Sequence, residues 1–154
     1  MFTPSPSSRQ KMLYRLEPDA DGYPPISVER LWVRPVGLGT VILDNIPFYA
    51  RGIAPGDELS VLTNTDGETW FHALSRSGGA SIFRIHARSD LEVEKIRGDL
   101  LDLGMPSEAD ARVRLVAVEV PMVADIRPVL DYLVIGQESE RFDFEEGALR
   151  HTIS

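Results

Sequence analysis

The stretch NIPFYARGIAPGDELSVL at residues 45–62 contains the strongest local constraints on the fold. Pro47 has no backbone N–H, so this part of the chain cannot run as a central strand. The Pro-Gly-Asp run at residues 55–57 is typical of a tight turn, because proline presets φ and glycine accepts a positive φ. Leu59 and Val61 then begin an alternating pattern. The stretch therefore predicts a packed aromatic crossover and a turn into a new strand, as in a small barrel or a strongly bent sheet.

Strand patterns occupy most of residues 11–88. Apolar alternation and turn residues predict strands over residues 11–17, 26–36, 40–44, 58–64 and 68–76. Asp66-Gly67 favours a hairpin between the last two. A second hairpin is predicted around Gly78-Gly79, which would place Leu74 opposite Phe83 and His72 opposite Ile85.

Helical patterns appear only in the C-terminal part of the chain. Ser89 and Glu92 form a capping-box pattern ahead of an apolar stripe that extends to residue 103. Asp125 precedes a second helix, and strands are predicted over residues 112–120 and 141–146. The fold class is therefore α+β: an N-terminal antiparallel, barrel-like β block is followed by a strand-helix-strand-helix-strand unit of ferredoxin-like character.

Composition predicts a single α+β domain over residues 11–154, with a β-rich half (residues 11–88) and an acidic α/β half (residues 89–154). The Pro/Ser-rich residues 1–10 are predicted to form a disordered arm. The absence of cysteine excludes disulfides and thiolate metal sites. No apolar run approaches the roughly 20 residues of a membrane span, so we expect a cytoplasmic protein.

The net charge of −8 is unevenly distributed. Residues 1–88 carry nine acidic and nine basic side chains, whereas residues 89–154 carry fifteen acidic and seven basic ones. A surface of this sign repels phosphate, so a nucleic-acid partner and a membrane partner are not expected. The acidic half either attracts a basic protein partner or forms a solvated face. The oligomeric state stays open.

Residue patterns point to no catalytic, metal or cofactor site. There is no nucleophile elbow, and the glycines at 37 and 39 lack the third glycine of a dinucleotide-binding loop. Each of the three histidines is more simply explained as a structural or surface residue than as a metal ligand. Adjacent carboxylates such as Glu145 and Glu146 point to opposite faces of a strand and cannot act on one bond.

Two groups of residues are candidates for binding. Arg30, Trp32 and Arg34 share one face of a predicted strand, opposite Leu31 and Val33. This stripe is either an exposed interface or stacking site, or a face covered by helices with Trp32 in the core. The second group, which would surround a pocket, consists of Tyr49, Arg51, Arg84 and His86.

Four segments resemble the bacterial domain of unknown function family 4265 (DUF4265). They are LEPDADGYPPISVERLWV, DNIPFYARGIAPGDEL, SRSGGASIFRI and FDFEEG, and the similarity extends from about Leu13 onward. The resemblance implies a small bacterial cytoplasmic protein, and it carries no assigned catalytic residues. Members often occur in lineages rich in conflict systems and secondary metabolism, which implies an immunity-type or regulatory role.

The leading functional expectation is a non-catalytic protein-binding module of the bacterial cytoplasm, of immunity-type or regulatory character. The alternative is a small-molecule-binding or enzymatic β-barrel with a pocket around Tyr49, Arg51, Arg84 and His86.

Overall fold

The computed structural model of the protein describes residues 9–153. The chain forms two compact units, Met1–Gly78 and Gly79–Ser154, and each has a hydrophobic core of its own. Of the predicted arm at residues 1–10, residues 1–8 lie outside the described part, and the first strand begins at Gln10. Within residues 9–153, no helix is long and apolar enough to cross a membrane.

The first unit is a closed five-stranded barrel, which confirms the barrel-like β block. Its strands follow chain order around the barrel: β1 (Gln10–Arg15), β2 (Val28–Gly37), β3 (Thr40–Leu43), β4 (Glu58–Thr63) and β5 (Thr69–Arg76). Consecutive strands are antiparallel, and a parallel pairing of Leu13 with Trp70 closes β1 against β5. The core is filled by alternating residues such as Met12, Leu31 and Val33, which are fully buried.

One carboxylate holds the crossover between β3 and β4 against the barrel. Glu29 lies on the inward face of β2 with Leu31 and Val33, and only 6% of it is exposed. Its carboxylate accepts the backbone N–H groups of Phe48, Tyr49 and Ala50 at 2.7, 3.0 and 2.7 Å. We call this arrangement the Glu29 clamp. It satisfies three consecutive backbone donors that no strand ladder serves.

A second buried carboxylate holds the predicted Pro-Gly-Asp turn. Asp57 is fully buried, and its Oδ2 accepts the N–H of Ala54 at 2.9 Å. Its Oδ1 accepts the N–H of Gly78 at 2.8 Å, where the first unit ends. Gly56 adopts φ +90°, the left-handed region that favours glycine. The turn is therefore present, as the sequence predicts.

The second unit has the strand-helix-strand-strand-helix-strand order of a ferredoxin-like fold. Its elements are β6 (Ser81–Ala87), α1 (Asp90–Asp102), β7 (Ser107–Asp110), β8 (Leu115–Val120), α2 (Arg127–Glu138) and β9 (Phe142–Ala148). The antiparallel sheet has the order β7-β8-β6-β9, and a short 3₁₀ turn at Ala111–Val113 joins β7 to β8. Side chains from both helices and one sheet face form a single core.

The predicted hairpin at Gly78-Gly79 is wrong. β5 pairs with β4 and β1, whereas β6 lies between β8 and β9. The two glycines form a close-packed link: a Cβ at Gly78 would lie 2.8 Å from the Gly56 carbonyl oxygen, and one at Gly79 would lie 2.6 Å from Met122 Cγ. The two compact units meet along the chain at residues 78/79.

The helix caps agree with the sequence in part. Ser89 Oγ accepts the N–H of Glu92 at 3.3 Å, as the capping-box pattern predicts. The Glu92 carboxylate, however, accepts a hydrogen bond from Arg141 Nε at 2.7 Å. This Glu92–Arg141 ion pair ties the first helix to the start of β9, and local sequence patterns do not reveal it. Asp125 lies one residue before the N-cap of α2, Ile126, and its Oδ1 accepts the N–H of Arg127.

We predict that Glu29→Gln destabilises the first unit by about 2 to 3 kcal/mol. The amide turns a donor towards backbone donors and removes the charge that strengthens these hydrogen bonds. Both tryptophans, Trp32 and Trp70, lie in the first unit, so tryptophan fluorescence during urea denaturation monitors its unfolding.

The matched control is Glu68→Gln, which alters an exposed carboxylate that accepts from Asn64 at a hairpin turn. It should change the free energy of unfolding by less than about 0.5 kcal/mol. Equal effects of the two substitutions would show that the Glu29 clamp contributes no more than a surface contact.

Candidate functional site

The outward face of β2 carries the predicted Arg30-Trp32-Arg34 stripe. Leu31 and Val33 are fully buried, whereas Arg30 is exposed and Trp32 is 36% exposed. Trp32 is therefore not part of the barrel core. A large aromatic side chain at the surface of a barrel strand is available for contact with another molecule.

Two further cations lie on the Trp32 ring. Lys11 faces Trp32 across the β1–β2 ladder, and its Nζ lies 4.2 Å from the ring centroid. Arg9 Cζ lies 4.6 Å from the same ring. Cations at this distance are attracted by the negative face of the indole. Neither residue was predicted from the sequence, although the antiparallel register of the first two strands could have pointed to Lys11.

Hydrogen bonds and ion pairs fix the surroundings of Trp32. The backbone N–H of Trp32 donates to Asn45 Oδ1 at 2.7 Å, and the Trp32 carbonyl accepts the backbone N–H of Asp44 at 2.9 Å. Asp44 Oδ2 lies 3.1 Å from Arg9 Nε and 3.7 Å from Arg34 Nε. The Trp32 surface, as we name it, consists of Arg9, Lys11, Arg30, Trp32 and Arg34. Two carboxylates lie nearby, Asp44 and also Glu68, which lines a cleft with Lys11 and Arg30, so the four cations leave a surplus of two positive charges.

A second feature of the barrel is an open cleft of about 390 Å³ beside the clamped crossover. Residues 14–17, Pro24, Tyr49 and Arg51 line it, and we call it the Tyr49 cleft. The Tyr14 hydroxyl donates to the Arg51 carbonyl at 3.1 Å. The Tyr49 ring meets the Tyr23 ring edge to face, with 5.9 Å between centroids.

The four residues of the predicted pocket lie in two different units. Tyr49 and Arg51 line the Tyr49 cleft, and the residues that line it all belong to the first unit. Arg84 and His86 lie on β6 in the second unit. Arg84 is 1% exposed, and His86 Nε2 lies 3.7 Å from Glu145 Oε1. A pocket formed by all four stays a prediction.

His151 holds the last described residues against the second unit through hydrogen bonds of its ring and its backbone. Its Nε2 lies 2.9 Å from the Pro121 carbonyl oxygen, which can only accept, so Nε2 carries the proton. Nδ1 then accepts from the Ser81 hydroxyl at 2.7 Å. Ser81 Oγ also accepts the backbone N–H of Arg150 and is fully buried. This Ser-His pair is a structural contact.

Within residues 9–153, no group of three or more His, Cys, Asp or Glu residues could hold a metal ion.

Six carboxylates of the second unit form ion pairs with arginine. The ion pairs join Asp90 to Arg114, Glu92 and Asp99 to Arg141, Asp110 to Arg112, Asp125 to Arg127 and Asp143 to Arg88. A hydrogen bond from Arg112 lowers the pKa of Asp110, and one from Arg127 lowers the pKa of Asp125. The lowered pKa values keep the Asp110 and Asp125 carboxylates ionised at neutral pH, which suits electrostatic contacts better than proton transfer.

Comparison with known proteins adds family membership and fold. Residues 29–144, most of the chain, match the family described as Domain of unknown function (DUF4265). The chain belongs to the DUF4265 family. The matched region begins at Glu29, so it includes the Glu29 clamp, and it ends at Phe144, within β9.

A hypothetical protein from Neisseria gonorrhoeae has a similar crystal structure, with a TM-score of 0.70 and 16% sequence identity. The alignment covers 94% of this DUF4265 chain and 96% of the Neisseria chain. At this identity the likeness shows the fold alone. No curated protein matches the chain.

We predict that the Trp32 surface of the DUF4265 protein attracts anions to its indole. In a Trp70→Phe variant, Trp32 is the remaining tryptophan. At low ionic strength, the ratio of iodide quenching to caesium quenching should be at least about twice the ratio measured for free N-acetyltryptophanamide. This excess should disappear near 1 M salt, where the Debye length falls to about 3 Å. Neutral acrylamide, whose quenching should not depend on salt, is the control. A ratio at low salt equal to that of the free indole would contradict the charge surplus.

Proposed function

We propose that this DUF4265 protein is a non-catalytic protein-binding module of the bacterial cytoplasm, which contacts an acidic partner through the Trp32 surface. The observation that carries the proposal is the exposed Trp32 ring with the Lys11 and Arg9 cations 4.2 and 4.6 Å from its centroid. Tryptophan and arginine dominate the energetics of protein interfaces. An immunity-type or regulatory role is the most concrete form of this function.

The charge pattern supports an acidic partner for this surface. The Trp32 surface has a local surplus of two positive charges in a chain whose net charge is −8. A partner with a few carboxylates placed opposite these cations gains electrostatic binding energy at this surface. The acidic remainder of the chain repels the same partner elsewhere. Such an arrangement directs binding to one orientation.

Pre-organisation also supports binding. Trp32 and Arg30 belong to a ten-residue strand in a closed barrel, and Asn45 and Asp44 hold the Trp32 backbone from the adjacent segment. A surface that is ordered before contact loses little conformational entropy when a partner binds. The groups gathered there are an indole and four cationic side chains, which can stack on a partner and attract anions.

The test is an affinity capture from native lysate followed by measurements with the purified partner. Wild type, Trp32→Ala and Leu74→Ala are compared as baits, since Leu74 is an exposed apolar residue on β5 outside the Trp32 surface. We expect an acidic partner that binds wild type and Leu74→Ala equally. Trp32→Ala should weaken binding about 30-fold, the effect of removing a hot spot of roughly 2 kcal/mol.

Calorimetry at two ionic strengths separates this proposal from its alternatives. Affinity for the purified partner should fall as salt rises, and Lys11→Glu should weaken binding as Trp32→Ala does. A basic partner whose affinity is unaffected by Trp32→Ala would overturn the proposal. It would indicate that the partner contacts the carboxylates of the acidic half instead. An acidic partner that binds Trp32→Ala as tightly as wild type would also overturn it.

A further inference from the structure

The Tyr49 cleft has the dimensions and the rigidity of a ligand site, independently of the Trp32 surface. Its volume of about 390 Å³ falls within the range of small-molecule pockets, about 300 to 1,000 Å³. The end of β1 forms one side, and the crossover held by the Glu29 clamp provides Tyr49 and Arg51.

The backbone that carries the cleft residues is held on both sides of Ala50. The Glu29 carboxylate accepts the N–H groups of Tyr49 and Ala50 at 3.0 and 2.7 Å. The Tyr14 hydroxyl donates to the Arg51 carbonyl at 3.1 Å. The Tyr49 and Arg51 side chains therefore extend from a fixed main chain. Sites supported in this way bind with a smaller loss of conformational entropy than mobile loops do.

Aromatic groups provide flat apolar walls. Tyr14 and Tyr49 line the cleft, and each ring is itself supported by another ring. Tyr14 lies 4.8 Å from Phe71, and Tyr49 lies 5.9 Å from Tyr23, centroid to centroid. Supported rings of this kind favour a planar aromatic ligand, which can stack or meet them edge to face.

The charges at the cleft favour a single negative charge on the ligand. Arg15 and Arg51 provide two cations, and Glu17 provides one carboxylate, so the lining has one positive charge in excess. The Arg15 guanidinium lies 5.0 Å from the Trp70 ring centroid. A guanidinium on a ring face keeps its N–H edge for in-plane hydrogen bonds, and this edge matches the two oxygens of a carboxylate.

We infer that the Tyr49 cleft binds a small aromatic monocarboxylate. The aromatic ring lies among Tyr14 and Tyr49, and the carboxylate faces the guanidinium groups of Arg15 and Arg51. Glu17 disfavours a second negative charge, which sets a monocarboxylate apart from an aromatic phosphate dianion.

The experiment measures ligand binding to the full chain by calorimetry and by chemical-shift mapping. The probes are naphthoate, its uncharged amide naphthamide, and naphthyl phosphate. We expect naphthoate to bind at least about tenfold more tightly than naphthamide, the effect of charge-assisted hydrogen bonds of about 1.5 kcal/mol or more. Naphthyl phosphate should bind more weakly than naphthoate. Shifts should centre on the backbone amides of residues 14–17 and 49–51.

Substitutions test whether naphthoate binds in the Tyr49 cleft. Arg51→Gln should reduce the affinity for naphthoate about tenfold and leave that for naphthamide unchanged. Arg76→Gln, which alters an exposed arginine of β5 outside the cleft, is the matched control and should change neither. Trp32→Ala should also leave naphthoate binding intact, so this test stands apart from the proposed protein contact. Equal affinity for naphthoate and naphthamide, absence of naphthoate binding at millimolar concentration, or shifts centred elsewhere would each overturn the inference.

Discussion

The barrel depends on one buried carboxylate that accepts three consecutive backbone N–H groups. Crossover segments between strands expose donors that no ladder serves, and leaving them unsatisfied inside a protein costs about 1 to 3 kcal/mol each. Glu29 serves the donors of residues 48–50 together, and Asp57 does the same for Ala54 and Gly78. The two carboxylates allow a segment with prolines and irregular apolar spacing to pack as part of the barrel. The position of Tyr49 in its cleft follows from this arrangement.

The sequence predicted the local elements well where apolar and polar residues alternate without ambiguity. The alternation in β2 identified Leu31 and Val33 as inward residues and placed Arg30, Trp32 and Arg34 outside. The same alternation puts Glu29 on the inward face. A carboxylate on a core face requires partners, so this position was the available signal for the clamp. Its partners lie about twenty residues away, and no local pattern identifies them.

Prediction failed where long-range pairing decides the structure. Gly78-Gly79 has the local signature of a hairpin, yet β6 is buried along nearly its whole length and occupies the centre of another sheet. β7 has the sequence SEAD, which lacks apolar alternation, and forms as an edge strand beside β8. His151 lies near the chain end without a pattern around it, and its contacts with Ser81 and Pro121 come from distant segments. The cations on Trp32 likewise depend on the β1–β2 register and on Asp44.

The Glu29 clamp also determines where the chain can change in length. One side chain bonds to three successive peptide groups, so an inserted or deleted residue within 45–50 would move all three donors out of register at once. The exposed turn at residues 64–68 imposes no such condition, because the Asn64 side chain and a few short-range hydrogen bonds close it locally. Homologous chains with this clamp should therefore accommodate insertions at the tip of the β4–β5 hairpin, while the crossover keeps a constant number of residues.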